Sequence, residues 1–183
     1  SRGLGDVYKR QEQKRENPDK DMSNALCRYA LVEIVNLHSP ALEFEAIHRI
    51  VTDVDTKALM SEMTAALELS EEKSEQAIVV CDNGEEKTLY IHKPTSKLTV
   101  GSLQNFLDSY IKEKGGKVDY IHGAEVIREL SAKENSIGFM LPDMGKEELF
   151  PTVIVDGALP RKTFSMGHAE DKRFYVEARK ILK

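Results

Sequence analysis

The sequence predicts an α+β fold in which helices cover a mixed β-sheet, with a basic helix at the C-terminus. Short apolar segments rich in β-branched residues alternate along the chain with longer segments of helical periodicity. Some strand-like segments are joined by tight turn signals, and others are separated by a helix. That combination is typical of a sheet with both antiparallel and parallel pairs.

The first twenty residues lack hydrophobic periodicity and are rich in Gly, Lys, Arg, Gln and Glu. This composition predicts a disordered or loosely helical tail that packs against nothing. Residues 1–11 also resemble a peptide translated from adapter DNA. We therefore expect residues 1–20 to be a disordered or artefactual tail, and residues 21–183 to form a single α+β domain.

The predicted strands are apolar runs bounded by Pro, Gly or Asn. They are Tyr29–Leu37, Glu43–Val51, Gln76–Asp82, Lys87–His92, Lys117–His122 and Ser136–Leu141. Asn83 and Gly84 predict a hairpin between two of them, with a loop slightly longer than the tightest type. The predicted core residues are Leu31, Ile34, Val79, Leu107 and Phe139.

The predicted helices share an apolar period of about 3.6 residues. They are Thr56–Leu69, Thr99–Lys114, Ala124–Ala132, Lys146–Val155 and His168–Leu182. Asp55 is placed to cap the first of these, because an acidic side chain before a helix accepts from its free N–H groups. Gly115 and Gly116 end the second. The segment Ala158–Gly167 is predicted to be a loop.

Composition excludes several classes of protein. The chain is 40% hydrophobic and 31% charged, and no apolar run reaches the ~18 residues of a membrane span. The net charge of −5 is concentrated between residues 21 and 159, which makes nucleic acid an unfavourable partner. Cys27 and Cys81 predict buried free thiols in a reducing cytoplasm. No histidine has metal-ligand spacing, and nothing identifies a cofactor, a catalytic residue or an oligomeric state.

The densest group of polar residues lies just before the predicted terminal helix. Arg161 can hold a phosphate in a bidentate way, and Lys162 adds a point charge. Free N–H groups at a helix start also attract anions. The predicted contacts with a nucleotide or phosphate ligand are Arg161, Lys162, Thr163, Ser165, Gly167 and His168. The alternative is a basic loop that pairs with the acidic body of the domain.

Several segments resemble a prokaryotic family, domain of unknown function 1015. They are Arg28–Val51, Asp119–Gly123, Ile137–Pro142 and Asp156–Lys180. The resemblance implies that His48 and Arg49 are further candidates for contact with the ligand. It also implies a distant relation to ParB-like and sulfiredoxin-like proteins, whose nucleotide-handling motif would lie upstream of Arg28.

That upstream motif is absent from residues 1–20, so we expect the chain to be the C-terminal part of a longer protein. Two functions remain open. The first is a domain that binds a nucleotide or phosphate ligand, as part of a phosphotransferase when the protein is complete. The second is a non-enzymatic structural or protein-interaction domain.

Overall fold

The computed structural model describes residues 4–29, 34, 36–40 and 42–167. The chain divides into two compact units, of which one is formed by residues 37–169 and the other by residues 1–36 with 170–183. The expected single domain over residues 21–183 stays a prediction. The predicted basic helix His168–Leu182 lies outside the described residues.

In the smaller unit, Leu4–Glu16 form a helix (α1) and Leu26–Arg28 form a short 3-10 helix. Cys27 is buried, and its Sγ donates to Oε1 of Gln13 at 3.3 Å. Gln13 therefore contacts a buried residue, and the disordered or artefactual tail over residues 1–20 stays a prediction. The composition of those residues does not reveal the contact, because the buried thiol lies outside them.

The predicted first strand, Tyr29–Leu37, has no strand conformation at its described residues. Tyr29 ends the 3-10 helix, and Ile34 is 92% exposed, so the predicted burial of Ile34 is wrong. Leu31 lies outside the described residues. Strand propensity describes how a side chain fits a half-buried sheet, and by itself it places no residue in one.

The described residues of the larger unit form four helices, close to four of those predicted. They are Thr56–Leu67 (α2), Thr99–Lys114 (α3), Ala124–Ser131 (α4) and Leu149–Asp156 (α5). Asp55 caps α2 as predicted, because its carboxylate accepts from the N–H groups of Lys57 and Ala58, both at 3.0 Å. A 3-10 turn, Lys146–Glu148, precedes α5. No helix among the described residues has the length and apolar character needed to cross a membrane.

The residues described in this unit also form one seven-stranded sheet. The strands are Phe44–Thr52 (β1), Leu69–Ser70 (β2), Gln76–Asp82 (β3), Glu85–Ile91 (β4), Lys117–His122 (β5), Ser136–Met140 (β6) and Phe164–Met166 (β7). Their order is β2-β4-β3-β6-β1-β5, and β7 pairs with β1. Every strand pairing among the described residues is antiparallel. The α+β class is confirmed, and the prediction of a mixed sheet is wrong.

The error arises because β1 lies between β5 and β6. A strand–helix–strand sequence is the usual signal of a parallel pair. Here β5 and β6 are joined by α4 and run in the same direction, but each pairs with β1 instead of with the other. The strand inserted between them converts one expected parallel pair into two antiparallel pairs.

The hairpin between β3 and β4 is tighter than predicted. Asp82 pairs with Glu85, so Asn83 and Gly84 alone form the loop. Their φ angles are +49° and +83°. Positive φ at both loop positions is the geometry of a type I′ turn, whose twist matches that of the strands.

The core packs on both faces of the sheet. Helices α2 and α3 cover one face, where Leu107 and Phe139 are fully buried as predicted. Helix α4 covers the other face, where Ile127 packs in a smaller cluster. Val79 is only half-buried and packs in this smaller cluster, so its predicted full burial is wrong. Because side chains alternate along a strand, its neighbour Ile78 takes the place in the main core.

Candidate functional site

Arg49 is a buried cation in the middle of β1, with 0% of its surface exposed. Its cross-strand neighbours are Tyr120 on β5 and Phe139 on β6. Its Nε donates to Oε1 of Gln104 on α3 at 2.8 Å, and its guanidinium carbon lies 4.6 Å from the centre of the Tyr120 ring. Burial lowers the pKa of Arg49 to about 10, which still leaves the side chain charged at neutral pH.

The guanidinium of Arg49 holds the main chain of the loop before β7. Nη1 donates to the carbonyl oxygens of Ile47 at 2.6 Å and Lys162 at 3.0 Å, and Nη2 donates to that of Arg161 at 3.1 Å. These bonds take up all but one of the five N–H groups of the guanidinium. Arg49 therefore acts here as a clamp on the loop.

Arg161 lies beside the Tyr120 ring, with 5.5 Å between the guanidinium carbon and the ring centre. Its Nη2 is 3.6 Å from Oδ1 of Asp108, and Nε2 of Gln104 donates to the same carboxylate oxygen at 2.8 Å. We call this group the arginine cluster. It comprises Arg49, Gln104, Asp108, Tyr120 and Arg161.

The rest of the loop has a structure that directs Arg161 and Lys162 outward. Both side chains are exposed, and Lys162 has φ +55°. Thr163 is buried, and its hydroxyl donates to the carbonyl of Pro160 at 2.6 Å. Gly167 has φ +66°, and its N–H donates to the carbonyl of Glu43 at 3.1 Å. Between these two residues the chain forms β7, which the sequence predicted as loop.

Ser165 lies in β7 opposite Glu45 of β1 and is half-buried. His168 lies outside the described residues.

His48 points to the opposite face of the sheet from Arg49, because consecutive strand residues alternate. Its Nδ1 accepts from the N–H of Leu141 at 3.2 Å, which leaves the proton of the neutral ring on Nε2. Burial lowers the pKa of His48, and the charge of Asp143 opposes this effect. Neutral imidazole is therefore the favoured form at neutral pH.

The charges of Asp143 and His122 act on the His48 ring. Nε2 of His122 lies 2.6 Å from Oε2 of Glu45. A carboxylate oxygen of Asp143 accepts from the N–H of Ala46 at 2.7 Å. The structure thus brings Arg49, Arg161, Lys162 and Thr163 together, and it separates His48 from them.

A second loop rich in hydroxyls and amines, Lys93–Lys97, already holds an anionic group of the protein. The carboxylate of Asp156 at the end of α5 accepts from Ser96 Oγ at 2.7 Å and from the N–H of Lys97 at 2.6 Å. These hydrogen bonds lower the pKa of Asp156. The donors of this loop are therefore used within the domain.

Sequence reasoning missed Gln104, Asp108 and Tyr120. Gln104 is 3% exposed and lies between the buried Leu103 and Leu107 on α3. A polar residue on the apolar stripe of a helix is a pattern from which its burial could have been predicted. Nothing in the sequence pairs Asp108 or Tyr120 with the loop, because these contacts join distant parts of the chain.

Among the described residues, no group of three or more His, Cys, Asp or Glu side chains could hold a metal ion. Cys27 and Cys81 are buried free thiols, as predicted. Burial raises the pKa of Cys81 to about 11, so its thiol stays protonated at neutral pH.

The smaller unit has a cleft of about 540 Å³. It is lined by Arg10, Lys14, Asn17, Pro18, Lys20, Asp21, Met22, Ser23 and Arg28. The carboxylate of Asp21 accepts from the N–H and the hydroxyl of Ser23 at 2.9 and 2.8 Å.

The fold and the site define a class of protein: an α+β domain with an antiparallel sheet that presents a basic loop clamped by a buried arginine. The chain belongs to the family described as "Protein of unknown function (DUF1015)", whose model matches residues 6–110. The match covers more than half of the chain and includes His48 and Arg49. It ends before the loop that carries Arg161.

Two solved structures share the fold. A conserved hypothetical protein from Pyrococcus furiosus has a TM-score of 0.57 and 15% identity, over 73% of this chain and 60% of that one. SbnI with C-terminal truncation, from Staphylococcus aureus, has a TM-score of 0.50 and 13% identity, over 72% of this chain and 53% of that one. The chain thus spans about half to three-fifths of the length of these relatives. No curated protein matches the chain.

Proposed function

We propose that the domain binds a phosphate-bearing ligand, such as a nucleotide, through the side chains of Arg161 and Lys162. One observation carries the proposal: Arg49 holds the carbonyl groups of both residues inward. The loop therefore turns its polar main chain toward a buried cation and its cationic side chains toward solvent. Such a surface suits an anion that accepts several charge-assisted hydrogen bonds.

The charges around the loop support the same ligand class. Arg49 and Arg161 lie near one ion-paired carboxylate, that of Asp108, and Lys162 adds a third cation to the loop. Among the described residues no carboxylate forms an ion pair with Arg49. The positive charge of the group therefore exceeds the negative charge, which favours an anionic ligand.

Tyr120 adds a second kind of support. Its hydroxyl oxygen is buried and has no hydrogen-bond partner among the described residues. Leaving such a group unsatisfied costs about 1–3 kcal/mol, so a cluster that contains one gains from a further polar group. In this proposal Thr163, Ser165 and Gly167 shape the loop, and Arg161 and Lys162 contact the ligand.

The proposal is tested by Arg161→Ala in the full chain, titrated calorimetrically with ATP, CTP and inorganic pyrophosphate. We expect the variant to bind about 1.5–3 kcal/mol more weakly than wild type, the contribution of a charge-assisted hydrogen bond. Its melting temperature should stay close to that of wild type, because Arg49 contacts the carbonyl of residue 161 and not its side chain.

Arg128→Ala is the matched control. Arg128 is an exposed arginine on α4 that pairs with Glu86, and its loss changes the net charge equally. Equal affinities of wild type and Arg161→Ala would contradict the proposal.

The alternative is a non-enzymatic structural or protein-interaction domain. The internal use of the Arg49 and Thr163 donors favours it, because the same bonds serve to dock the loop on the sheet. In that case Arg161 and Asp108 form an exposed ion pair that contributes about 0–1 kcal/mol. Arg161→Ala would then change neither affinity nor melting.

Phosphotransfer, and the distant ParB-like relation, are proposals about the complete protein. The chain spans 60% and 53% of the two solved relatives, so an activity assay belongs on the full-length gene product. Transfer of the γ-phosphate of ATP to a hydroxyl acceptor, followed by ³¹P NMR, is the measurement. If the gene product binds nucleotide but transfers no phosphate, the proposal reduces to a nucleotide-binding protein.

A further inference from the structure

We infer that Asp108 is a built-in competitor for the anion: its carboxylate pairs with Arg161 and must give up that guanidinium before Arg161 can hold a phosphate. The inference rests on the proposed function and names the residue that lowers the affinity of the site for its ligands.

The carboxylate of Asp108 is held in place by α3. Gln104, one helical turn earlier, donates from Nε2 to Oδ1 of Asp108 at 2.8 Å. The orientation of that amide is set in turn, because its Oε1 accepts from Nε of Arg49 at 2.8 Å. The hydrogen bond from Gln104 therefore favours a position of the carboxylate close to α3 when the guanidinium of Arg161 moves toward a ligand.

Arg161, by contrast, is weakly held. The distance of 3.6 Å between its Nη2 and Oδ1 of Asp108 exceeds that of a good hydrogen bond, and the two side chains are 69% and 57% exposed. Exposed pairs of this kind are weak. The Tyr120 ring, 5.5 Å away, keeps the guanidinium near the cluster without fixing it. Arg161 can therefore exchange one anion for another.

Breaking the pair of Asp108 and Arg161 costs every ligand the same free energy, so only a ligand that binds Arg161 more strongly than a carboxylate does gains from the exchange. A ligand with a single carboxylate offers Arg161 what Asp108 already supplies, so it gains little from the exchange. A diphosphate or triphosphate group carries more charge and accepts two parallel hydrogen bonds from a guanidinium. We therefore assign the site to pyrophosphate-containing ligands, in preference to monocarboxylates.

The test is Asp108→Asn in the full chain, titrated with inorganic pyrophosphate and with acetate. We expect pyrophosphate to bind about 2- to 5-fold more tightly than to wild type, the range set by loss of a weak exposed pair. Acetate, which binds wild type poorly, should gain a similar factor, because the pair that is lost is the same. Glu113→Gln is the matched control, since it removes a carboxylate further along α3 that pairs with Lys114.

A double variant separates competition from general charge. Asp108 competes through Arg161, so Asp108→Asn should give no gain in an Arg161→Ala background. The inference is overturned if Asp108→Asn raises the affinity for pyrophosphate even in the Arg161→Ala background, or if the single variant shows no higher affinity. In either case, pyrophosphate binding by wild type preserves the proposed function. If wild type binds no pyrophosphate and Arg161→Ala behaves identically, both the proposed function and the inference fail.

Discussion

The guanidinium of Arg49 makes a set of hydrogen bonds that no other side chain could make. It presents donors in a fixed planar fork, and here that fork reaches Gln104 and the carbonyls of two consecutive loop residues, Arg161 and Lys162. A lysine in its place has three donors on one nitrogen and cannot match that geometry. The loop conformation therefore requires an arginine at position 49, independently of any ligand.

Arg49→Lys should lower the free energy of unfolding by about 2–4 kcal/mol, because buried carbonyls lose their donors. Urea unfolding followed by circular dichroism measures this. Arg128→Lys, a substitution at an exposed ion pair, is the control and should stay near wild type. A loss at Arg49 no greater than that at Arg128 would show that the clamp contributes nothing.

His48 and Arg49 show how a pair of neighbouring residues can mislead sequence reasoning. Both are candidates by resemblance, and a shared ligand is the simplest interpretation of their adjacency. Alternation along β1 sends them to opposite faces, where Arg49 meets α3 and His48 meets the N–H of Leu141. The period of a strand thus separates what the sequence places side by side.

Helix α4 packs on the sheet through a glycine. A Cβ on Gly138 would lie 2.6 Å from Cγ2 of Ile127 and 3.3 Å from Cβ of Ser131, two residues of that helix. Ile127 is fully buried. Because Gly138 has no side chain, α4 can pack close to β6. This close packing also positions the connection from β5 to β6, which α4 forms.

Gly138→Ala should destabilise the protein by about 1–3 kcal/mol, the cost of overpacking a core. Adding Ile127→Leu removes the clashing Cγ2 at nearly constant volume, and we expect it to recover part of the loss. Thermal unfolding of the single and double variants measures the effect. A double variant less stable than the sum of its parts would contradict the close-approach explanation.

The elements that the sequence predicted well have signals within a few residues of themselves. The carboxylate of Asp55 caps α2, Gly115 ends α3, and Asn83 with Gly84 turns the β3–β4 hairpin. Strand β7 has no such signal. Its three residues are a strand because Phe44–Ala46 of β1 pair with them.

Strand β1 organises the larger unit because it pairs with three strands. It pairs with β5 and β6 on its two sides and with β7 over Phe44–Ala46. Both apolar clusters and all seven strands lie within residues 37–169. The core of this unit is therefore contained in its own residues.

A fragment of residues 37–167 should fold on its own and unfold in one cooperative transition. Its apolar clusters are those of the intact larger unit, and cooperative unfolding is usual for a domain of this size. Because the chain has no Trp, circular dichroism in urea is the measurement. Leu107→Ala, at a fully buried position, should cost about 2–5 kcal/mol in the fragment. A gradual, uncooperative transition would contradict independent folding.

The sequence by itself determined the α+β class, most of the element boundaries and the identity of the cationic loop residues. Each of these depends on local chemistry: apolar period, capping, turn residues and charge. Arg161 and Lys162 stand out because cations, hydroxyls and glycine cluster in one short segment.

Only the tertiary structure decided that the sheet is antiparallel, that Arg49 clamps the loop and that Asp108 pairs with Arg161. The residues bonded to Arg49 are 55 positions away at Gln104 and 112 positions away at Arg161. Local propensity extends over only a few residues, whereas these contacts exist because α3, β1 and the loop before β7 pack together. Their physical cause is the folding of distant segments around one sheet.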